Sequence, residues 1–511
     1  MPRGRNLGWS RHPPLSFFEP IPLGQPIPPS PHGVSCSLPT MRAVRGYEEK
    51  DPEITRQLTS GYPRFVVHPF ARQLASHLAP AGSTLWLTSS RRMAGDLARH
   101  LGPASGAAPF SGDGLDGVTH PDSPEVAGRA KLYLQHLGGF LSSRAAEDRL
   151  VDLGLRPARH PEEAFAGDAA GEVRRHLLPA FDGAGDADIL LANSGANAVY
   201  AAFRSVAATQ AARGRTAWVQ LGWLYLDTIA VLKKFTADPG DYIAIPDVFD
   251  RAALESLFAA KGPRIAGLVT EIPTNPLVQS PDVAALSELC RRHGVALVLD
   301  PSVGSPFSVR VLPHADLVVA SLTKYAASDG DVIAGVVAVN PARPDAPLLR
   351  AAVAGFLEPV YKRDLARLAA QIGRVGPVLA GIQASTPRVA AFLAAHPKVG
   401  EVYWALHPSS GENYRRIARS PAAVGGMISF TLRVPLESFY DRLRLAKGPS
   451  FGMRTTLICP FMYLAHYDLV TTPAGRAELA ACGLEPELLR LCVGLEPVEE
   501  IIAALDEALA G

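Results

Sequence analysis

The chain predicts an α/β fold with a mostly parallel seven-stranded sheet, and three observations carry that expectation. Between residues 187 and 345 short apolar runs alternate with helical segments, the pattern of a parallel sheet covered on both faces. Several of those runs end in polar residues, where open α/β sheets bind ligands. Near residue 386 the pattern shifts to a few strands and helices, which fits a smaller C-terminal α+β domain.

Four stretches follow from this pattern. Residues 1–69 read as an irregular, proline-rich arm, too apolar around Phe17 and Phe18 to be a freely solvated tail. Residues 70–185 read as an inserted α/β segment. It should hold a strand at 85–89, an amphipathic helix at 91–101, a Gly/Ala/Pro-rich loop at 102–121 and helical patterning at 125–155 and 172–178. Residues 186–385 form the large domain, with strands expected near 189–192, 217–221, 242–245, 265–270, 296–300, 317–320 and 332–339. A long helical region at 345–393 leads into the C-terminal domain, 386–511, with strands at 400–405 and 426–434 and helices at 437–447 and 497–510.

Composition narrows the function classes. Hydrophobic residues make up 47% and charged residues 19% of the 511, enough to bury large cores. Fifty basic residues against 49 acidic leave a net charge of +1, so no nucleic-acid footprint is expected. Five scattered cysteines form no CxxC pair, giving no metal-site spacing and fitting a reduced compartment. Prolines interrupt the basic N-terminus, and no stretch is read as the ~20 apolar residues of a membrane span. A soluble, cytoplasmic protein is the expectation.

Lys324 is the most informative residue. The run 317–320 ends in Ser321-Leu322-Thr323-Lys324, and the run 296–300 ends in Asp300. A lysine after a strand is ordinarily a solvated end, and an acid before Pro301 is ordinarily a turn residue. Together they offer an amine that condenses with an aldehyde, two hydroxyls for a phosphate, and a carboxylate for a protonated ring nitrogen. Pyridoxal 5′-phosphate (PLP) needs such a set.

The other candidates agree with that reading. Ser194, Gly195 and Ala196 lie between a strand and an apolar helix, whose N–H groups suit a phosphate. Asn275, in Glu271-Ile-Pro-Thr-Asn275-Pro276, is placed to hydrogen-bond the cofactor's phenolic oxygen. Tyr225, after Gly222-Trp223-Leu224, offers an aromatic lid and a hydroxyl for proton transfer, although core packing explains either aromatic. Arg490 sits in an apolar run, so it needs a carboxylate, either an internal acid or that of a substrate.

Assembled, these residues resemble the Cys/Met-metabolism family of PLP enzymes, the fold type I, aspartate-aminotransferase-like proteins that include cystathionine γ-synthase and the cystathionine lyases. Ser321-Leu-Thr-Lys324-Tyr with Asp331 and Gly335 resembles that family's lysine signature. Glu271 to Pro276, Ser194-Gly195, Gly425-Gly-Met-Ile-Ser-Phe430 and Arg490-Leu-Cys-Val-Gly-Leu-Glu496 resemble its other motifs, in the right order. Gly61-Tyr62-Pro63-Arg64 resembles the element that reaches a neighbouring subunit's phosphate. The resemblance thus implies a homodimer or homotetramer with Tyr62 and Arg64 completing the partner's site. The arm and the insertion resemble the longer, fungal-type cystathionine γ-synthase branch. The chain departs from the family at Pro301-Ser302, at 222–228 and at Tyr361-Lys362-Arg363-Asp364.

The resemblance implies a PLP enzyme acting on a small-molecule amino acid, with Lys324 and Tyr225 catalytic and Arg490 binding substrate. Expected first is γ-replacement, joining an O-acylated homoserine to cysteine. A β- or γ-elimination, as by cystathionine or methionine lyases, is the alternative. A non-catalytic PLP-binding regulator is the remote one.

Overall fold

The structure is a computed structural model and describes residues 20–59 and 67–511. Tyr62 and Arg64 lie outside the described residues.

Part of the arm is ordered, contrary to the irregular reading. Strands β1 (Pro26–Ile27) and β2 (Ser35–Cys36) pair antiparallel, and a helix, Met41–Glu48, is capped by the Thr40 hydroxyl. Leu38, Met41 and Val44 share a core with Phe430, Phe439 and Tyr440 of the C-terminal region. Lys447 Nζ donates to the Pro39 carbonyl at 2.8 Å. The surface this arm covers therefore belongs to its own chain.

The insertion holds a sheet ordered β3 (Ser83–Leu87), β5 (Leu115–Pro121), β4 (Ala108–Gly112), all antiparallel. The loop expected at 102–121 is thus largely a hairpin. Asp113 and Gly114, both at positive φ, form its tight two-residue turn. The patterning at 125–155 resolves into two helices, Pro124–Leu137 and Ser143–Asp152, separated at Gly138, whose φ of +66° ends the first. The insertion is not a separate body. Met93, Leu97, Tyr133 and Leu134 pack with Phe203, Trp218 and Val298 of the large domain.

Seven strands form the large sheet: β6 (Ile189–Ala192), β7 (Ala217–Leu221), β8 (Tyr242–Ile245), β9 (Ile265–Glu271), β10 (Ala296–Asp300), β11 (Leu317–Ser321) and β12 (Gly335–Val339). Their order is β6-β12-β11-β10-β9-β7-β8, with β12 antiparallel to both neighbours and the other pairings parallel. Period-2 alternation splits each strand between two cores. In β10, Ala296 and Val298 join the core containing Val199 and Phe203, while Leu297 and Leu299 join the one containing Leu286 and Phe258.

The long helical region resolves into Ala346–Phe356, Lys362–Ile372 and Val375–Ala395. Contrary to the expectation of no span-length stretch, Val375–Ala395 is long and apolar enough to cross a membrane by length and composition. Here Val378, Ile382, Val389 and Leu393 are buried inside the molecule. The helix leads to the second sheet: β13 (Val399–Trp404), β14 (Met427–Leu432), β15 (Ala446–Lys447), β16 (Leu457–Pro460) and β17 (Leu489–Cys492), ordered β13-β14-β17-β16-β15.

Candidate active site

Parallel strands bring their C-terminal ends to one edge, and the candidate residues gather there. Glu271 and Asp300 are register partners at the ends of β9 and β10. Ser321 closes β11, and Lys324 follows three residues later. A cavity of about 100 Å³ between these ends and the C-terminal domain is lined by Lys324, Asp300, Asn275, Tyr225, Ser321 and Arg490, together with Gly195 and Ala196. At Ala196 it meets a second cavity of about 670 Å³, which extends past Ser194 toward the insertion.

Lys324 Nζ donates to Ser450 Oγ at 2.6 Å and lies 4.9 Å from the centroid of the Phe451 ring. Ser450 has a φ of +96°, a conformation unusual for a residue with a side chain. Its carbonyl accepts from Arg490 Nη2 at 3.2 Å, while Arg490 Nη1 donates to Asn275 Oδ1 at 3.1 Å. The Arg490 guanidinium also packs over the rings of Phe451 and Phe461. Arg490 forms no ion pair with an internal acid among the described residues. Asn275 thus spends its oxygen on Arg490.

Asp300 Oδ1 accepts from the backbone N–H of Ser302 at 2.8 Å. Burial pushes its carboxyl up to about 6. Burial, and then the neighbouring Asp300, hold Glu271 well above the usual carboxylate range. Glu271 Oε1 accepts from the Tyr225 backbone N–H at 2.5 Å, which fixes the segment that brings Tyr225 to the cavity. Trp223 takes the other aromatic role: its Nε1 donates to His466 Nε2 at 3.0 Å and its ring packs against the C-terminal core.

On the phosphate side, Ser194 Oγ caps the helix Gly195–Ala211 by accepting from the Asn197 N–H. A Cβ on Gly195 would lie 2.9 Å from Ser321 Cβ, so the turn requires glycine for close approach. Gly335 is required for the same reason, since a Cβ there would lie 2.3 Å from the Ser194 carbonyl oxygen. The Ser321 hydroxyl faces this cradle, buried and with no hydrogen-bond partner among the described residues. Thr323 does not join it. Its Oγ1 accepts from the Ala334 N–H at 3.2 Å and faces the core, and it lines neither cavity.

Charged residues anchor the loop after Lys324. Arg144, 1% exposed, reaches Glu162, the Asp331 carbonyl and Asp364 Oδ1 at 2.9 Å. Arg367 binds Asp331 and Asp329, each at 2.8 Å. The departure at 361–364 has a physical reason here. The Tyr361 hydroxyl donates to Asp148, Arg363 binds Glu147, Asp148 and Glu162, and Asp364 takes Arg144. That run docks the insertion against the large domain.

These features fit PLP: an unpartnered hydroxyl beside a glycine cradle for a phosphate, an amine, and a buried carboxyl seeking a cation. The model for the Cys/Met metabolism PLP-dependent enzymes matches residues 176–510. The chain belongs to that family. Among family relatives, it is 42% identical over 492 residues to the L-2-amino-4-chloropent-4-enoate dechlorinase/desaturase of Streptantibioticus cattleyicolor, covering 95% of this chain and 98% of that protein. It is 27% identical to the cystathionine gamma-synthase of Neurospora crassa, covering 96% and 98%. Among solved structures it is similar in fold to the cystathionine gamma synthase of Xanthomonas oryzae pv. oryzae, with a TM-score of 0.56 and 24% identity over 72% of this chain and 96% of that one.

Ser450, Phe451 and Phe461 were not among the candidates. The run Gly448-Pro449-Ser450-Phe451-Gly452 announces a tight turn. Nothing local says that the turn meets Lys324.

Proposed function

We propose that this PLP enzyme catalyses elimination at the γ-carbon of a small L-amino acid, with a γ-chlorinated, unsaturated amino acid as the preferred candidate. The observation that carries this reading is the wall of the cavity beyond Lys324, made by Phe451, Phe461, Leu464 and Ala465. Such a wall suits a short apolar side chain bearing a halide. Arg490 is the one arginine among the described residues lining that cavity, enough for a single carboxylate. The dechlorinase relative supports the substrate class, since its named substrate carries chlorine on C4, the γ-carbon.

When bound, PLP supplies an electron sink that makes the α-proton labile. Arg490 holds the substrate carboxylate, and Asn275 and the Ser450 carbonyl fix its guanidinium. Lys324, steered by the Ser450 hydroxyl, takes the proton from Cα and moves protons along the substrate. Chloride then leaves C4, with loss of a proton from C3 balancing the new multiple bond. Asp300 would partner the cofactor's ring nitrogen, and Tyr225 would cover its ring. Ser194, Gly195, Ala196 and Ser321 would hold its phosphate, with Thr323 supporting the strand end; by the family resemblance Tyr62 and Arg64 would complete the site of a neighbouring subunit.

Gamma-replacement of an O-acylated homoserine by cysteine is the second reading, supported by the full-length similarity to the Neurospora enzyme. Incubating the holoenzyme with L-2-amino-4-chloropent-4-enoate should release one chloride per substrate consumed. Absence of chloride, with cystathionine formed from an O-acylhomoserine and cysteine, would replace elimination by the second reading.

A further inference from the structure

One and two helical turns beyond Ala196, the helix Gly195–Ala211 contributes Tyr200 and Arg204 to a separate open cavity of about 570 Å³. Its volume falls in the range of small-molecule sites. Tyr133, Tyr200, Phe235 and Phe356 provide aromatic walls, and Arg92, Arg99, His100 and Arg204 the polar ones. The Tyr133 ring already takes a flat partner on one face: the His100 imidazole stacks on it at 4.3 Å, with 24° between the planes. Burial, with Lys234 and Arg129 nearby, holds His100 down to about 4, so this ring is a neutral wall at pH 7.

The cations are not balanced. Arg99 pairs with Asp96, the single carboxylate lining the cavity, and Arg92 pairs with Glu358. Arg204 donates to the Tyr200 hydroxyl at 2.9 Å and lies over the Phe356 ring at 5.0 Å. Arg129 donates to the carbonyls of His100 and Leu101, and Lys234 lies 6.0 Å from the Tyr133 centroid. Arg129, Arg204 and Lys234 form no ion pair with a carboxylate among the described residues.

Arg92 links this cavity to the cofactor turn. Besides Glu358 it holds the carbonyls of Phe356 and Leu357. Glu358 in turn brackets the turn through its backbone: its carbonyl accepts from the Asn193 N–H at 3.0 Å, and its N–H donates to Asn197 Oδ1 at 2.7 Å.

We propose that this cavity binds a small anion built on a flat aromatic ring, and that its occupancy shifts cofactor affinity through the Arg92–Glu358 contact. Stacking on the tyrosine and phenylalanine walls holds the ring, and Arg204 supplies charge-assisted hydrogen bonds to the anionic group. An anion that draws on Arg92 competes with Glu358. Binding and PLP affinity are then linked reciprocally.

Calorimetry on the holoenzyme tests this with four probes: adenosine 5′-monophosphate, indole-3-carboxylate, adenosine and inorganic phosphate. At least one ring-bearing anion should bind saturably. Adenosine and phosphate should each bind roughly tenfold or more weakly, and the two ring anions distinguish phosphate from carboxylate as the anionic group. Arg204→Ala, and Arg204→Gln should the first fail to fold, should weaken the binding ring anion by a similar factor while circular dichroism stays native. The saturating ring anion should also change PLP retention on dialysis. Binding that survives both Arg204 variants, binding that leaves PLP retention unchanged, or no saturation by either ring anion below about 1 mM would overturn the proposal.

Discussion

Lys324 Nζ donates to Ser450 Oγ at 2.6 Å across 126 residues of sequence, so the two domains jointly fix the amine on which the chemistry turns. A flexible lysine held at its tip reaches one atom of the substrate rather than a cloud of positions. Ser450→Ala is therefore expected to lower kcat by roughly ten- to a hundredfold with KM little changed and cofactor content retained. Steady-state kinetics beside a PLP assay check this. Ser450→Gly should separate stability from activity: it relieves a positive φ, raising stability by up to about 1 kcal/mol, while losing the same hydroxyl.

Arg490 makes two hydrogen bonds, to Asn275 Oδ1 and the Ser450 carbonyl, and pairs with no internal acid among the described residues. Arg490→Ala should raise KM by roughly ten- to a hundredfold, the worth of a charge-assisted contact, and leave PLP bound. Arg490→Lys should recover only part of that affinity, because an ammonium cannot grip a carboxylate with a planar fork. Unchanged KM in the alanine variant would remove Arg490 from substrate binding.

Arg144 is buried among Glu162, Asp331 and Asp364. Arg144→Ala leaves those carboxylates short of a partner and should cost about 3–5 kcal/mol. Urea unfolding, read by fluorescence, measures it. Loss of PLP is expected at lower urea than loss of helix, because Asp331 anchors the loop that follows Lys324.

The paired carboxyls set a pH dependence. Asp300 is raised to about 6, and Glu271 is raised by burial and by Asp300. Both bind more protons in the folded than in the unfolded apo-protein, so their contribution to stability falls as pH rises through about 4 to beyond about 6. Glu271→Gln removes one of the two charges. Its apo form should therefore gain on wild type as pH rises from about 5 to about 8. Thermal unfolding of both apo-proteins across that range gives the comparison, and a difference that does not vary with pH contradicts it.

Much of this architecture is legible because each strand of the large sheet is a short apolar run, several of them closed by a polar residue. All seven strands of the large sheet lie where the pattern puts them, with β12 shortened at its start, since its pairing begins at Gly335. The hairpin at Asp113-Gly114 was hidden by its Gly/Ala/Pro-rich surroundings, although the Asp-Gly pair between alternating residues carries the signal. Site contacts made locally, such as Ser194 capping its helix, follow from neighbouring residues. Ser450 does not, since its meeting with Lys324 exists only once two domains pack. Thr323 was misplaced for a related reason: strand pairing with β12 brings Ala334 to its hydroxyl.

The central claim is that Lys324 carries the cofactor, and borohydride reduction of the holoenzyme followed by peptide mapping tests it most directly. A pyridoxyl group on Lys324, and none on the Lys324→Ala protein, is the predicted result. A pyridoxyl group on another lysine of the wild-type protein, or on none, would contradict it.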